Sequence, residues 1–256
     1  MTSLVISGRI EKKEALVSYI IRLGKLHCFS TIIISSNDSI EGIEGIEGIE
    51  GIRVLKNSLL EKSIYERAPY ILNQFQNIRN ALLTISGRAV IHRADLILKD
   101  PQIVTEKLNQ LSRGQFLIDS SNCHNSNIPF YYSDFLIGGE IVDLLNVFDS
   151  SNFELLPPHK GGIVWRINQG NCLFERKNTY AEVLIWYGYF LKKYGEGEFN
   201  KDLSDDFYIK NFHTVERSQI FFTKKRFGFR CKYTYSYFNF ILCPLYKVLR
   251  SVRNIF

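Results

Sequence analysis

The sequence lacks several features that would each point to a particular class of protein. Its cysteines are scattered, with no C-x-x-C spacing, so neither a disulfide framework nor a zinc site is predicted. No apolar run approaches the roughly 18 residues of a membrane-spanning helix. Met1–Gly8 has neither a basic nor a long apolar segment. We therefore expect no signal peptide and a cytoplasmic chain.

Acidic residues are missing from the C-terminal part of the chain. From Arg217 to Phe256 there is no Asp or Glu, while the net charge of the whole chain is +6, so the remainder is slightly acidic. Apolar residues from Leu245 to Ile255 follow a helical spacing with basic residues beside them. A basic amphipathic helix predicts binding to an anionic membrane surface, peripheral and on the cytoplasmic face. A terminal helix packed on the body is the main alternative, and we expect no nucleic-acid partner.

The first part of the sequence predicts an open parallel sheet. Ser3–Ser7 is predicted as a strand, Glu11–Leu26 as a helix and Thr31–Ser35 as a second strand. This β–α–β order is typical of α/β proteins, in which ligands bind at the carboxyl ends of the strands. Ser7, Gly8 and Arg9 stand at one such end. They do not form a G-x-G-x-x-G fingerprint, so a dinucleotide site is not indicated.

The stretch Ala89–Leu98 reads as one buried strand that contains Arg93 and Asp95. Charges are rare inside buried strands unless they are paired or bind something. Residues two apart leave a strand on the same face, so a cation and a carboxylate would stand side by side. This arrangement would allow the two side chains to bind a diphosphate and its metal ion. An internal salt bridge explains them as well, and the spacing alone favours neither interpretation.

Other segments give the expected organisation. The tandem Glu-Gly-Ile repeat, Glu41–Ile52, is predicted to be a loop insertion. Asp100 is predicted to cap a helix that starts at Pro101. Glu196–Asp206 is expected to be a charged loop. We predict one α/β domain over residues 1–222 and a basic, aromatic-rich tail over residues 223–256.

Four motifs in this order resemble a known family. They are the polar-Gly turn after the first strand, N-Q-F-Q-N-I-R-N-A-L at Asn73–Leu82, H-R-A-D-L at His92–Leu96, and P-F-Y-Y-S-D-F-L-I-G-G at Pro129–Gly139. Together they resemble the WavE lipopolysaccharide-synthesis family of bacterial glycosyltransferases. The resemblance covers roughly the first 150 residues. It implies a GT-A-like fold, an open and mostly parallel sheet flanked by helices, here with a helical basic C-terminal extension.

The resemblance also implies roles for individual residues. The nucleotide-sugar pocket would be formed by Ser7, Gly8, Arg9, Arg79, Arg93, Asp95 and Ser133. Asp134 and Glu216 would be candidate general bases for the acceptor hydroxyl. Asp95 would bind Mn²⁺ or Mg²⁺. Apart from the resemblance, the chemistry of His213 makes it a further candidate metal ligand, although a lone histidine is more often structural or on the surface. The motif at this position is Arg-x-Asp, where GT-A enzymes keep Asp-x-Asp, and it offers one carboxylate instead of two.

The predicted function is the transfer of a sugar from a nucleotide-sugar donor to a lipid-linked or growing bacterial surface glycan, either lipopolysaccharide or capsule. A non-catalytic, membrane-associated scaffold with a degenerate nucleotide-sugar fold is the alternative, because the Arg-x-Asp motif departs from the family pattern. A nucleotidyltransferase is a third option. The missing Gly-rich opening motif with Arg or Lys counts against that option.

Overall fold

The computed structural model describes residues 1–10, 13–37, 43, 46, 48–59, 69–120, 129–130, 132–133, 136–153, 155, 181–195 and 200–222. These residues belong to one compact unit, Met1–Thr223. The predicted tail, 223–256, lies outside the described residues. Among the residues that are described, no helix combines the length and the apolar character needed to cross a membrane.

The centre of the unit is a seven-stranded sheet with the order β3-β2-β1-β4-β7-β6-β8, and β5 and β9 form a separate antiparallel pair. Only β7 runs against its neighbours in the larger sheet. The strands are β1 Thr2–Ser7, β2 Thr31–Ser36, β3 Ile52–Lys56, β4 Arg88–Arg93, β5 Leu96–Leu98, β6 Phe116–Asp119, β7 Leu136–Glu140, β8 Phe212–Val215 and β9 Ile220–Phe222. The predicted α/β class with an open, mostly parallel sheet is confirmed.

Helices cover both faces of this sheet, so strands such as β1, β2, β4 and β6 are buried on both sides. They are α1 Lys13–Leu26, α2 Pro69–Leu82, α3 Pro101–Asn109, α4 Ile141–Val147, α5 Ala181–Tyr194 and α6 Lys201–Asn211. The predicted cap of α3 is confirmed, because the Asp100 carboxylate accepts hydrogen bonds from the backbone N–H groups of Gln102 and Ile103.

Alternate residues of each strand feed two separate hydrophobic clusters. Val5, Ile33 and Ile91 pack in the cluster that includes residues of α2, α4, α5 and α6. Their neighbours along the strands, such as Ile6 and Val90, pack in the cluster with residues of α1 and α3. The two-residue period of a strand therefore decides which layer each side chain joins.

Two sequence-based assignments are wrong. Ala89–Leu98 is not one strand: β4 ends at Arg93, a turn follows, and β5 pairs with β9 in the other sheet. Glu196–Asp206 is not all loop, because α6 begins at Lys201, where the side chain of Asn200 accepts from the N–H of Leu203.

The described part of the Glu-Gly-Ile repeat contributes to the core. Ile43 and Ile46 are fully buried, and the N–H groups of Ile46, Ile49 and Ile52 each bond the carbonyl three residues earlier. A backbone with three residues per turn returns every third side chain to the same side. The three-residue period of the repeat therefore places its isoleucines together, against the α1 side of the sheet.

Candidate functional site

The carboxyl ends of β1, β2, β4, β6 and β8 lie at one edge of the sheet, because these strands are parallel. The chain runs outward from β1 to β2 and β3, then returns to place β4 on the other side of β1. This reversal is a topological switch point, where open α/β sheets bind their ligands. Ser7 and Arg93 are direct partners across it. The structure thus brings two of the predicted site residues together at this point.

The end of β1 combines a buried hydroxyl with open space. Ser7 is 1% exposed, and among the described residues its Oγ has no hydrogen-bond partner. Gly8 has φ +111°, and a Cβ added there would meet no atom of the described residues within 4 Å. Its carbonyl accepts from Ser36 Oγ at 3.1 Å, which ties β1 to β2. Arg9 follows as an exposed side chain. The turn is therefore fixed by its neighbours and open above.

Arg93 and Asp95 form a bidentate ion pair at the end of β4. Arg93 Nε donates to Asp95 Oδ1 at 3.0 Å, and Nη2 donates to Oδ2 at 2.9 Å. The two side chains are 26% and 19% exposed. The internal salt bridge expected as one interpretation is present. Because it lies in the turn and is partly exposed, it stands at the sheet edge rather than inside a strand.

Arg93 and Asp95 lie next to a buried histidine. His92 is 1% exposed. Its Nδ1 lies 2.8 Å from the carbonyl oxygen of Arg93, and its Nε2 lies 3.2 Å from the hydroxyl of Tyr19. Burial lowers the pKa of His92 to about 4, although the Arg93 carbonyl and the Asp95 charge act to raise it. Burial also raises the pKa of the Tyr19 hydroxyl. Both groups are therefore neutral at pH 7.

An amide network that sequence reasoning missed lies beside the ends of β2 and β3. Asn80 Nδ2 donates to Asn57 Oδ1 at 2.8 Å, and Asn57 Nδ2 donates to Ser35 Oγ at 2.9 Å. Ser35 Oγ in turn donates to the carbonyl of Asn77, whose Nδ2 donates to Asn37. The signal was the spacing of Asn73, Asn77 and Asn80 along one helix. The network fixes α2 on the strand ends.

A second missed residue is Asp119, the last residue of β6. It is 1% exposed and accepts a hydrogen bond from Ser133 Oγ. The segment before Ser133 is anchored by Ser204 of α6, whose Oγ accepts from the N–H of Phe130 and whose carbonyl accepts from the hydroxyl of Tyr132. The sequence feature that could have identified Asp119 is the apolar strand that ends there, which resembles the strand that ends in Arg93.

The remaining predicted residues lie in different places. Glu216 is exposed and follows Val215, the register partner of Asp119, so it stands at the same edge. Asp134 lies outside the described residues. Arg79 donates from Nη1 to the carbonyl of Leu145 in α4 at 3.1 Å. This contact ties two helices together, and a pocket-lining role for Arg79 stays a prediction.

A divalent metal ion at this site would need several suitable ligands among the described side chains. In the described part of the chain, no group of three or more His, Cys, Asp or Glu could hold a metal. Both oxygens of Asp95 accept from Arg93, and His213 is an exposed residue of β8. Mg²⁺ demands near-octahedral oxygen ligands. The described side chains therefore do not fit a complete Mg²⁺ or Mn²⁺ site.

No protein-family model matches the chain, and no curated protein matches it. Solved structures do match. One is 4-diphosphocytidyl-2C-methyl-D-erythritol synthase from Anaerococcus prevotii DSM 20548, with 12% identity, a TM-score of 0.48 and coverage of 88% of this chain and 91% of that one. Another is the nucleoside-diphosphate-sugar pyrophosphorylase from Vibrio cholerae RC9, with 11% identity, a TM-score of 0.45 and coverage of 86% and 95%.

A third match is the galactosyltransferase LgtC in complex with donor and acceptor sugar analogs. Its identity is 8%, its TM-score is 0.40, and the match covers 56% of this chain and 59% of that one. The structural neighbours thus include a glycosyltransferase and a nucleotide-sugar pyrophosphorylase. Likenesses at this level of identity and TM-score do not decide what a chain does. Membership of the WavE family stays a prediction.

Proposed function

We propose that the chain is a GT-A-type glycosyltransferase related to the WavE family. It would transfer a sugar from a nucleotide-sugar donor to a lipid-linked or growing bacterial surface glycan, lipopolysaccharide or capsule. The observation that carries this proposal is the pairing of Ser7 with Arg93 across the switch point of the sheet, beside the open space above Gly8. This is the crevice in which an open α/β sheet binds a nucleotide.

The described residues suit the donor half of this reaction. The nucleotide lies over Ser7, Gly8 and Arg9, where the backbone can approach closely because Gly8 has no side chain. Arg93 presents a planar guanidinium to the diphosphate, a geometry that matches phosphate oxygens in a bidentate way. Asp95 orients that guanidinium, since its two oxygens hold two of the donor nitrogens of Arg93. Its role as a ligand of Mg²⁺ or Mn²⁺ belongs to the same proposal.

The acceptor half takes place towards β6 and β8. The bond between the sugar and the diphosphate breaks, the acceptor oxygen bonds to the anomeric carbon, and the acceptor proton passes to a carboxylate in an inverting enzyme. Asp134 and Glu216 are the candidates for that base. Ser133 lies on this side, where it is held against Asp119. The basic segment 223–256 would keep the protein on anionic lipid at the cytoplasmic face.

One observation favours the second candidate, a non-catalytic scaffold with a degenerate nucleotide-sugar fold. Both oxygens of Asp95 accept from Arg93, and an arginine–carboxylate pair of this kind stabilises a turn without any ligand. The scaffold would keep the fold and the tail but would bind no donor. The two candidates therefore differ in whether a nucleotide or nucleotide sugar binds at the end of β4.

A thermal-shift screen separates them. Nucleotides and nucleotide sugars are added with and without Mg²⁺ or Mn²⁺ to the wild-type protein and to Asp95→Asn. A ligand of the native state raises the melting temperature with the logarithm of its saturation. We expect a shift for one nucleotide family that Asp95→Asn loses. Glu140→Gln is the matched control, because Glu140 faces Arg88 at the other end of β4, and it should keep the shift. No shift with any nucleotide or nucleotide sugar would overturn the proposal in favour of the scaffold.

A further inference from the structure

The turn that carries Arg93 and Asp95 is held from the α1 side of the sheet. The backbone N–H of Leu98, the last residue of β5, donates to the hydroxyl of Tyr19 at 3.1 Å. Arg22 Nη2 donates to the carbonyl of Leu98 at 2.6 Å. Both polar groups of Leu98 are thus satisfied by side chains one helical turn apart on α1. Helix α1 therefore anchors the end of the segment that follows Asp95.

The same tyrosine reaches the start of the segment through His92. A carbonyl oxygen only accepts hydrogen bonds, so Nδ1 of His92 must carry the proton that faces the Arg93 carbonyl. Nε2 is then an acceptor, and the hydroxyl of Tyr19 donates to it. One directed chain runs from Leu98 N–H to Tyr19, from Tyr19 to His92, and from His92 to the Arg93 carbonyl.

This chain uses both ring nitrogens of His92 inside the protein. His92 is 1% exposed and Tyr19 is 3% exposed, so neither is available to a ligand, and each buried polar atom already has its partner. A buried histidine that is fully hydrogen-bonded fixes geometry rather than exchanging protons. The segment between the two anchors contains Arg93 and Asp95. A further bond, from Ala94 N–H to the Ser7 carbonyl at 2.9 Å, joins it to β1.

We propose that Tyr19 and His92 are positioning residues that hold the Arg93–Asp95 turn in the geometry needed to bind a diphosphate. This inference rests on the proposed function. Tyr19 and His92 contact no ligand themselves. They act because the hydrogen-bond chain links the Arg93 carbonyl, before the turn, to the N–H of Leu98 in β5, and removing the Tyr19 hydroxyl breaks that link.

The test combines ligand-free and ligand-bound measurements on the full chain. The variants are Tyr19→Phe, which removes the central hydroxyl alone, and His92→Asn, whose side-chain N–H can still donate to the Arg93 carbonyl. His92→Leu can make neither contact. Tyr194→Phe is the matched control, because Tyr194 is exposed. Amide hydrogen exchange at Ala94 and Leu98 reports the turn, and titration with inorganic pyrophosphate and Mg²⁺ reports the site.

In Tyr19→Phe we expect exchange at Leu98 to rise about tenfold and the Kd for pyrophosphate to rise about tenfold, the size of one lost hydrogen bond. Tyr194→Phe should change neither quantity. His92→Leu should weaken pyrophosphate binding more than His92→Asn, because the asparagine restores the contact to Arg93. A purely structural role would not produce this rescue.

The inference is overturned if Tyr19→Phe leaves the exchange at Ala94 and Leu98 unchanged, since the turn is then held by other contacts. It is also overturned if exchange rises while the Kd for pyrophosphate stays within twofold of the wild-type value. A wild-type protein that binds no pyrophosphate and no nucleotide sugar would overturn the proposed function instead. The exchange data would still decide whether Tyr19 and His92 hold the turn.

Discussion

Strand β4 carries an arginine beside a carboxylate at each end, and the two pairs have different surroundings. At the amino end, Arg88 lies 3.8 Å from Glu140 and donates to the carbonyls of Leu108 and Leu111 at 2.8 and 2.9 Å. Carbonyls at a helix end have no intrahelical partner, and a guanidinium satisfies them well. Arg88 thus stabilises the end of α3. An arginine bonded in this way has a structural role.

At the carboxyl end, Arg93 meets both oxygens of Asp95 and lies across from Ser7. The glycines differ in the same way. A Cβ on Gly87 would lie 2.9 Å from the Met1 carbonyl oxygen, whereas a Cβ on Gly8 would meet nothing within 4 Å. The backbone beside Gly87 therefore leaves no room for a side chain, whereas no described atom fills the corresponding space beside Gly8. The arginine at one end of the strand thus bonds backbone carbonyls, and the arginine at the other end bonds a carboxylate beside the switch point.

The largest expected effect is a loss of stability at low pH that originates at His92, near the carboxyl end of β4. His92 titrates near pH 6.5 in the unfolded chain, while burial lowers its pKa to about 4 in the folded protein. Below pH 6.5, His92 binds a proton in the unfolded chain but not in the folded protein. The free energy of unfolding should therefore fall between pH 6.5 and pH 4, by roughly 3 kcal/mol in total. Urea unfolding at several pH values measures it.

Two variants make this pH measurement specific. His92→Asn should remove most of that pH dependence, because the residue that titrates is gone. His27→Asn should leave it in place, since His27 is exposed and its φ of 50° suits asparagine. If the wild-type protein and His92→Asn lose stability in parallel as the pH falls, the acid response belongs to other groups.

The next effect concerns the amino end. Arg88→Ala removes two hydrogen bonds to the carbonyls at the end of α3 and should lower the free energy of unfolding by about 2 kcal/mol. The affinity for the nucleotide found in the screen should not change, because Arg88 lies at the opposite end of β4. Arg93→Ala should give the reverse pattern, with a small loss of stability and a large loss of binding. Equal effects of both variants on binding would remove the distinction between the two ends.

The layered α/β architecture could be predicted from the sequence, because the periodicity of strands and helices is a local property. Contacts that depend on residues distant in the sequence could not be predicted. The face that α6 buries includes the polar Ser204 and Asn211, so its hydrophobic period was weak and the segment read as a loop. The break after Arg93 was hidden because β5 is as apolar as β4 but pairs with β9 in another sheet.

The same distinction between local patterns and distant contacts applies to the residues of the candidate site. Ser7 and Gly8 were predicted because they stand at the end of a predicted strand, and Arg93 and Asp95 because charges are rare inside a buried strand. Asp119 was missed, because its importance depends on Ser133. That side chain reaches Asp119 only when the segment before it is anchored to α6. Local patterns therefore indicated the Arg93–Asp95 pair, whose members are two residues apart, but not the contact between Asp119 and Ser133.

The smallest expected effect on stability comes from Gly8→Ala. The positive φ at Gly8 disfavours alanine by about 1 kcal/mol, but the new methyl group meets open space. Gly87→Ala should destabilise the protein more, because it adds a clash with the backbone to a similar strain. For binding the order should reverse: Gly8→Ala should weaken nucleotide binding about tenfold, and Gly87→Ala should leave it unchanged. A Gly8→Ala protein that binds nucleotide as the wild type does would show that the opening above β1 is not part of the site.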